Sequence, residues 1–259
     1  MDHFEKFKLL HEKNSPLLIG NVWDTQSALM LERMNYKALG TSSAAIASSL
    51  GHEDGEQISF EDLHAIVKSV AGKVATPLTV DIEAGYSRDT KKIIENIVLL
   101  IQEGVVGVNL EDSIVENGNR EMVDPRRFSE TIKSIKRHLA NNGLNIFLNI
   151  RTDPYIIGLD DPLKESIARA KLYEEAGADG IFVPCIVDEN DIKNLVDSIS
   201  LPMNVMAMPN LPCFSTLEEI GVKRISMGPF LYNKINKSIK SVLADIKEEQ
   251  SFNCLFLEA

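Results

Sequence analysis

The sequence of 259 residues carries 27 Lys and Arg against 38 Asp and Glu, a formal net charge of −11, with 44% hydrophobic and 25% charged residues. This balance is typical of a globular domain, and an acidic chain without clustered Lys or Arg excludes a role in binding nucleic acid. It also contains no apolar stretch near the ~20 residues of a membrane span, which excludes a membrane protein.

Eight short apolar runs of strand length recur along the chain, and a helical pattern follows each of them. We predict strands at Pro16–Asn21, Ala38–Ser42, Pro77–Asp81, Gly107–Leu110, Asn145–Ile150, Gly180–Val183, Pro202–Met206 and Lys223–Met227. The helices have recognisable starts, because a polar residue that suits an N-cap precedes many of them. These predicted caps are Ser59, Asp89, Asp124, Asp161 and Asp188.

One local pattern occurs four times: the end of a helix, a tight turn and then a strand. Asn35, Gly104, Gly177 and Gly221 fall at the turn, where a left-handed residue commonly ends a helix. Eight strands alternating with helices predict an α/β fold, a (β/α)₈ TIM-type barrel. An open doubly wound sheet is the alternative, but no Gly-rich loop follows the first strand.

The domain organisation follows from the absence of a linker. We expect residues 1–259 to form one barrel domain, with residues 234–259 as a C-terminal helix and tail. The tail is too long for a simple last barrel helix, so it either packs on another subunit or is a frayed end. The charged N-terminus lacks a secretory signal. The three cysteines show no disulfide or zinc pattern, so we expect a cytoplasmic protein.

Polar side chains collect where predicted strands end, which in such barrels is where catalytic groups lie. Asp81 and Glu83 follow the third strand, Glu111 the fourth and Arg151 the fifth. Strand alternation is expected to put Asp81 and Glu83 on one face, so that three carboxylates and an arginine converge over the barrel mouth. Carboxylates that close together need a cation. Mg²⁺ fits best because no His or Cys joins the set.

Each of these residues also has a purely structural interpretation. Asp81 could cap the next helix, Glu83 could be solvated, Glu111 could begin a loop and Arg151 could be an ion-pair partner. Their joint occurrence on consecutive strands favours a site. No predicted strand delivers a lysine into the mouth, which argues against a Schiff-base aldolase.

The order of seven motifs resembles the isocitrate lyase/phosphoenolpyruvate mutase superfamily. The motifs are NVWD, GTSSAAIASSLGHEDGE, DIEAGYS, GVNLEDS, NIRTDPY, EEAGADGIFVP and GVKRISMGP, and they span Asn21 to about Phe230. The resemblance implies a barrel whose last helix is exchanged between the subunits of a homodimer or homotetramer. It also implies Mg²⁺, with Mn²⁺ as the alternative ion, binding a small 2-oxo acid and stabilising an enolate as a C–C or P–C bond breaks.

The same resemblance assigns candidate site residues by position. The metal-site acids fall on Asp81, nearest the metal, and on Asp54, Glu83 and Glu111, which act through water. The substrate-binding residues fall on Trp23, Ser42, Ser43, Ala44 and Arg151. Among these residues, Asp54, Glu111 and Arg151 are the predicted catalytic groups.

Two departures from the family pattern bear on the reaction. The usual Asp-x-Asp is Asp81-x-Glu83 here, which adds a methylene beside the metal. The loop at residues 113–123 contains no Cys, His or Lys, whereas the lyases carry a Lys-x-Cys-Gly-His run whose Cys is the acid–base group. A lyase that depends on that Cys is therefore disfavoured.

Decarboxylation of oxaloacetate needs no protein base for bond breaking, because a metal can accept the developing enolate charge. We therefore expect Mg²⁺-dependent cleavage of a small 2-oxo acid, as in an oxaloacetate decarboxylase, and so a carbon–carbon lyase. Phosphonopyruvate hydrolase or phosphoenolpyruvate mutase chemistry is the alternative among enzymes, with Arg120 and Arg151 as phosphonate contacts. A barrel that binds a carboxylate without turnover is the alternative outside enzymes.

Overall fold

The computed structural model describes residues 2–256 of the chain. Its strands are, in chain order, β1 (Leu17–Val22), β2 (Ala38–Thr41), β3 (Leu78–Asp81), β4 (Gly107–Glu111), β5 (Ser113–Glu116), β6 (Asn119–Met122), β7 (Phe147–Arg151), β8 (Gly180–Phe182), β9 (Met203–Met206) and β10 (Arg224–Ser226). Eight of them form a closed parallel barrel in the order β1-β10-β9-β8-β7-β4-β3-β2. The predicted (β/α)₈ fold is therefore confirmed, and all eight predicted strands lie in the barrel wall.

Helices connect the barrel strands and surround them. They are α1 (His3–Leu10), α2 (Thr25–Arg33), α3 (Ser43–Ser49), α4 (Phe60–Ala71), α5 (Thr90–Gln102), α6 (Pro125–Asn141), α7 (Pro154–Ile157), α8 (Pro162–Glu175), α9 (Glu189–Ser198), α10 (Phe214–Glu219) and α11 (Phe230–Glu249). Within residues 2–256, none of these helices combines the length and the apolar character that crossing a membrane requires.

The predicted ends of the helices are confirmed by their hydrogen bonds. The five predicted caps each accept a hydrogen bond from the first turn of the following helix, and Ser59 forms a complete capping box with Asp62. The four predicted turn residues all have positive φ, from 62° at Asn35 to 98° at Gly177. Local chemistry therefore defines where these helices begin and end.

Helix α1 closes the bottom of the barrel, at the end opposite the predicted site. The ring of Phe7 is fully buried and lies 5.5 Å from the ring of Phe147, edge to face. Gly107 makes room for Phe7, because a Cβ built there would lie 3.0 Å from the Phe7 ring. Together with neighbours such as Leu17 and Ile19, these residues form an apolar floor.

Two features lie outside the barrel wall. Strands β5 and β6 pair antiparallel in a hairpin between β4 and α6, where the sequence suggested only a loop. Helix α11 has no buried residue in the single chain, and a short 3₁₀ helix, Asn253–Leu255, follows it. The predicted tail of residues 234–259 thus consists of most of α11 and this short helix, and its last residues, 257–259, lie outside the described residues.

Candidate active site

A cavity of about 160 Å³ opens at the carboxyl-terminal end of the barrel strands. Six predicted site residues line it: Ser42, Ser43, Ala44, Asp54, Asp81 and Arg151. Apolar side chains from β8, β9 and the following loops, such as Phe182 and Met206, line it as well. Protein cavities of about 150 Å³ can bind a molecule the size of benzene, so this volume suits a ligand of a few carbon atoms.

Asp81 lies at the centre of this site, at the end of β3. Its main-chain N–H donates to Thr41 Oγ1 over 2.8 Å, and its carboxylate accepts a hydrogen bond from Ser43 Oγ over 3.2 Å. Burial raises the pKa of Asp81, Arg151 opposes that rise, and the charge of Asp54 adds to it. Asp81 is therefore a buried acid whose charged form would be stabilised by a nearby cation.

Glu83 lies beside Asp81 but outside the strand. Strand β3 ends at Asp81, and Glu83 has a left-handed backbone with φ 48°, so strand alternation does not place the two side chains on one face. The Glu83 carboxylate instead accepts hydrogen bonds from the Glu56 N–H, over 2.7 Å, and from Tyr86 Oη, over 3.1 Å. Burial and the charges of Asp54 and Asp81 raise the pKa of Glu83 to about 8.

Arg151 reaches the cavity from β7 as part of a buried ionic cluster. Its guanidinium donates two hydrogen bonds to Asp153, over 2.7 and 3.1 Å, and its Nη1 lies 3.0 Å from Glu111 Oε2. Arg120 from the hairpin forms ion pairs with the same two carboxylates, Glu111 and Asp153. Two arginines thus share two acids, and Glu111 faces both guanidiniums rather than the cavity.

The charges of this cluster follow from its contacts. Burial would raise the pKa of Asp153, but the charge of Arg151 and the hydrogen bonds from Arg151 and Ser113 together outweigh burial, so the pKa is lowered. Burial raises the pKa of Glu111, against the opposing effect of Arg151 and Arg120. The pKa of Arg151 lies well above its usual value despite burial, because Glu111 and Asp153 favour its charged form. Arg151 therefore presents a permanent positive charge to the cavity.

A second buried network supports this cluster from below. Asp112 accepts hydrogen bonds from the Asp153 N–H, over 3.2 Å, and from the hydroxyls of Thr152 and Tyr173, each over 2.7 Å. Arg169 donates to Asp112 and to the main-chain oxygen of Val123, each over 3.0 Å. Asp112 therefore connects the base of the hairpin to the segment that holds Arg151.

Trp23 lies outside the residues that line the cavity. Its ring packs on Tyr232 of α11 at a centroid distance of 5.2 Å. Asp24, the next residue, is the N-cap of α2 and forms a capping box with Ser27. Trp23 thus contacts the last helix.

Most of the chain matches one protein family. The family model described as phosphoenolpyruvate phosphomutase matches residues 7–247. The chain belongs to the phosphoenolpyruvate phosphomutase family. This confirms the resemblance to the isocitrate lyase/phosphoenolpyruvate mutase superfamily, and with it a relationship to lyases and mutases.

Individual relatives extend over most of the chain. An uncharacterized protein of Mycobacterium tuberculosis H37Rv is 33% identical over 227 residues, covering 88% of this chain and 83% of the relative. The 2-methylisocitrate lyase of Escherichia coli K12 is 23% identical, covering 94% and 84%. The crystal structure of phosphoenolpyruvate phosphomutase from Streptomyces platensis subsp. rosaceus superposes with a TM-score of 0.87 at 17% identity, covering 98% and 90%, which supports the shared fold.

Sequence reasoning missed two kinds of residue at this site. It left the partners of Glu111 unassigned, because Arg120 comes from a hairpin that the sequence analysis described as a loop. It also gave no role to Asn109 and Arg224, which lie on β4 and β10. A charged residue within the predicted last strand, where interior positions are usually apolar, was the available signal for Arg224.

Proposed function

We propose that this protein cleaves a C–C bond in a small 2-oxo acid with the help of Mg²⁺, with oxaloacetate as the first candidate substrate. The proposal rests on the small cavity at the barrel mouth, which Asp81, Arg151 and the Ser43–Ala44 segment line together. Asp81 can bind a metal, whereas the Ser43–Ala44 backbone and Arg151 can each bind a negatively charged group. A dicarboxylate that carries a 2-oxo group has the matching three parts, namely two carboxylates and a carbonyl oxygen that a metal can bind.

The residues present fit a hard divalent cation. The candidate donors are carboxylate oxygens, which Mg²⁺ prefers, and the crowding of acids that raises the pKa of Glu83 to about 8 would be relieved by a cation. Within residues 2–256, no three His, Cys, Asp or Glu side chains form a ready-made metal cluster. We therefore propose Asp81 as the one direct ligand, with Asp54 and Glu83 acting through water.

The ion pairs of Glu111 favour a different role from ligation. Its carboxylate faces Arg120 and Arg151, so we propose that it holds Arg151 in place and reaches the metal site only through water. When bound, the cation would draw electron density from the 2-oxo group and stabilise the enolate.

The chain's own residues would bind the substrate at both ends. The main-chain N–H groups at the start of α3 lack intrahelical acceptors, so Ser43 and Ala44 can hold the carboxylate next to the 2-oxo group. Arg151 neutralises the remaining charge. In the reaction, the C–C bond to the leaving carboxylate breaks, CO₂ departs, the electron pair remains as the enolate of pyruvate, and water supplies the proton to carbon.

The side chains of the hairpin bear on whether the reaction is a decarboxylation or a lyase reaction with acid–base catalysis. It places Arg120 next to Glu111 and Asp153, whereas a lyase that deprotonates its substrate needs an acid–base side chain in this segment. Decarboxylation needs no base to break the bond, because the leaving CO₂ keeps no proton. The arrangement therefore favours decarboxylation over a lyase that depends on acid–base catalysis.

Phosphonopyruvate chemistry, either hydrolase or mutase, is the second candidate. It is favoured by the two guanidiniums of Arg120 and Arg151, which lie on the same carboxylates and could contact a phosphonate group. It is also favoured by the family model, whose description names a phosphomutase.

We further propose that the chain is a single cytoplasmic domain. It would assemble as a homodimer or homotetramer through α11. Trp23 would then lie beside both that interface and the substrate pocket. The three cysteines are unpaired, in keeping with a reducing compartment. The apolar side chains of α11 are exposed in the single chain, in keeping with exchange of this helix between subunits.

A substrate panel tests the proposed function. Purified protein is given oxaloacetate and phosphonopyruvate separately, with Mg²⁺, with Mn²⁺ and with a chelator, and pyruvate and phosphate are measured against protein-free controls. Chelator-sensitive pyruvate from oxaloacetate alone is the expected result. Phosphate released from phosphonopyruvate would favour the second candidate. Metal-dependent binding of these acids without any product would contradict both and indicate a binding protein.

A further inference from the structure

A hydrogen-bonded row of three asparagine side chains and one arginine side chain crosses the barrel interior directly beneath the cavity. Asn149 Nδ2 donates to Asn204 Oδ1 over 3.1 Å and to Asn109 Oδ1 over 2.9 Å. Arg224 Nη2 donates to the same Asn109 Oδ1 over 3.2 Å. All four side chains are buried, and only Asn109 also lines the cavity.

The residues at the two ends of this hydrogen-bonded row allow only one orientation of its amides. Asn204 Nδ2 lies 2.6 Å from the main-chain oxygen of Val205, and because a carbonyl can only accept, the Asn204 atom there must be nitrogen. At the other end, a guanidinium can only donate, so the Asn109 atom facing Arg224 must be oxygen. The orientation of the Asn109 amide is therefore determined by chemistry.

The Asn109 amide nitrogen must then point away from both donors. Its oxygen already accepts two hydrogen bonds, and its Nδ2 makes none to any residue between positions 2 and 256. Since Asn109 lies on the cavity wall, its two N–H groups are available to a bound ligand. They would suit an oxygen that carries negative charge.

Arg224 is an unusual residue to find in the interior of a barrel. It is 2% exposed, its Nε and Nη1 have no hydrogen-bond partner among the described residues, and its guanidinium lies 5.9 Å from the ring centre of Phe7. Burial lowers its pKa to about 9, which still leaves it charged at neutral pH. A buried cation without a paired carboxylate is costly to fold, so its place in the structure calls for a functional reason.

We propose that Asn109 donates a hydrogen bond to an oxygen of the bound 2-oxo acid or its enolate, and that Arg224 is a positioning residue that, together with Asn149, keeps the Asn109 amide from flipping. A flipped amide would turn its oxygen towards an anionic substrate and its NH₂ towards a guanidinium, and both contacts are repulsive. The proposal rests on the proposed function for the class of ligand, a planar carboxylate with an adjacent oxygen.

A double-mutant cycle tests whether Arg224 acts through Asn109. The variants are Asn109→Ala, Arg224→Met and the double variant, with Thr79→Val as the matched control because Thr79 Oγ1 is a buried, unpartnered hydroxyl in the same barrel wall. Asn109→Ala is expected to lower kcat/KM by roughly tenfold, the value of one hydrogen bond to a charged group. Arg224→Met is expected to lower it by less, because Asn149 still donates to Asn109 Oδ1. The double variant is expected to resemble Asn109→Ala alone, and Thr79→Val to resemble the wild type. Losses that multiply in the double variant would overturn the positioning role.

A binding measurement keeps this test separate from the proposed reaction. Oxalate, a planar mimic of the pyruvate enolate, is titrated with Mg²⁺ into ¹⁵N-labelled protein, and the side-chain amide signal of Asn109 is assigned from its loss in Asn109→Ala. The signal is expected to shift in the wild type and to shift less, or to split, in Arg224→Met. A shift in a protein that turns over no 2-oxo acid would support the inference while the proposed reaction fails.

A wild-type Asn109 signal that does not move at saturating oxalate would overturn the inference, whatever the activity. The wild-type titration therefore decides the question even if Arg224→Met does not fold. Equal kcat/KM for Asn109→Ala and the wild type would overturn it in the same way.

Discussion

Glu83 is the acid whose protonation state should change most when a metal binds at the candidate site. Its carboxylate is 2% exposed and lies among Asp54, Asp81 and Glu56, and burial with these charges raises its pKa to about 8. A raised carboxylate pKa means that folding favours the protonated form. This contribution to stability is fully present below the unfolded pKa of about 4.3 and is lost as the pH rises through about 8.

We therefore expect the thermal midpoint of the chelated protein to fall between pH 5 and pH 9. Mg²⁺ should oppose this fall, because a cation favours the charged carboxylates, and its affinity should rise with pH as protons are released. Thermal unfolding with chelator and with Mg²⁺ measures both effects, and Glu83→Gln should flatten the pH dependence of the chelated protein. An identical slope in Glu83→Gln would show that another group titrates.

At the residue scale, the sequence predicted the candidate acids but not their geometry. Asp81 and Arg151 were recognisable because both end a barrel strand, and the strand order brings such ends together. Glu83 was assigned to a face by alternation, yet its left-handed backbone removes it from the strand. Asn109, the hydrogen-bond partner of the Arg224 side chain, lies 115 residues away along the chain, so no local pattern could reveal it.

The hairpin of β5 and β6 is the element of the structure that the sequence analysis did not predict. Its turn residues Asn117 and Gly118 both have positive φ, 52° and 78°, as a two-residue type I′ turn requires. The Asn-Gly pair was thus a signal for a hairpin in the sequence. What the sequence could not show is that Arg120 from this hairpin reaches the carboxylates of Glu111 and Asp153.

Removing Arg120 should loosen the hairpin. In Arg120→Gln, two buried carboxylates lose a guanidinium, although Arg151 still contacts both. The cost should be below the ~3–5 kcal/mol of a fully buried pair, because the Arg120 side chain is 17% exposed. Hydrogen exchange of residues 113–122 should become faster, with Arg126→Gln, an exposed arginine on α6, as the control. Unchanged exchange in Arg120→Gln would argue against an ionic anchor.

At the scale of the whole molecule, the barrel was predictable because each strand and cap follows a local rule. Predicted strands that began at Pro16, Pro77 and Pro202 each begin one residue later, since proline has no N–H to donate to a neighbouring strand. What surrounds α11 was not predictable in this way. Several of its apolar residues, including Ile239 at 50% and Leu243 at 59% exposure, remain largely exposed in the single chain.

If α11 is a subunit interface, a charge on its apolar face should disrupt assembly. Leu243→Glu is expected to reduce the mass in solution towards that of a single 28.8 kDa chain, because burying a carboxylate in an apolar interface is costly. Ser238→Glu adds the same charge at an exposed polar position of α11 and should leave the mass unchanged. Light scattering after size-exclusion chromatography measures both. A wild-type protein that is already a monomer would contradict the proposed assembly.

The central claim is that Asp81 holds a metal at which a 2-oxo acid is cleaved. Its most direct test is the initial rate of pyruvate release from oxaloacetate by the wild type and by Asp81→Asn, with Mg²⁺ and with chelator, above the spontaneous rate. We expect a chelator-sensitive rate in the wild type and a loss of at least 100-fold in Asp81→Asn, about 2.7 kcal/mol of transition-state stabilisation, with an unchanged circular dichroism spectrum. An undiminished rate in Asp81→Asn, or a wild-type rate indifferent to chelator, would contradict the metal site.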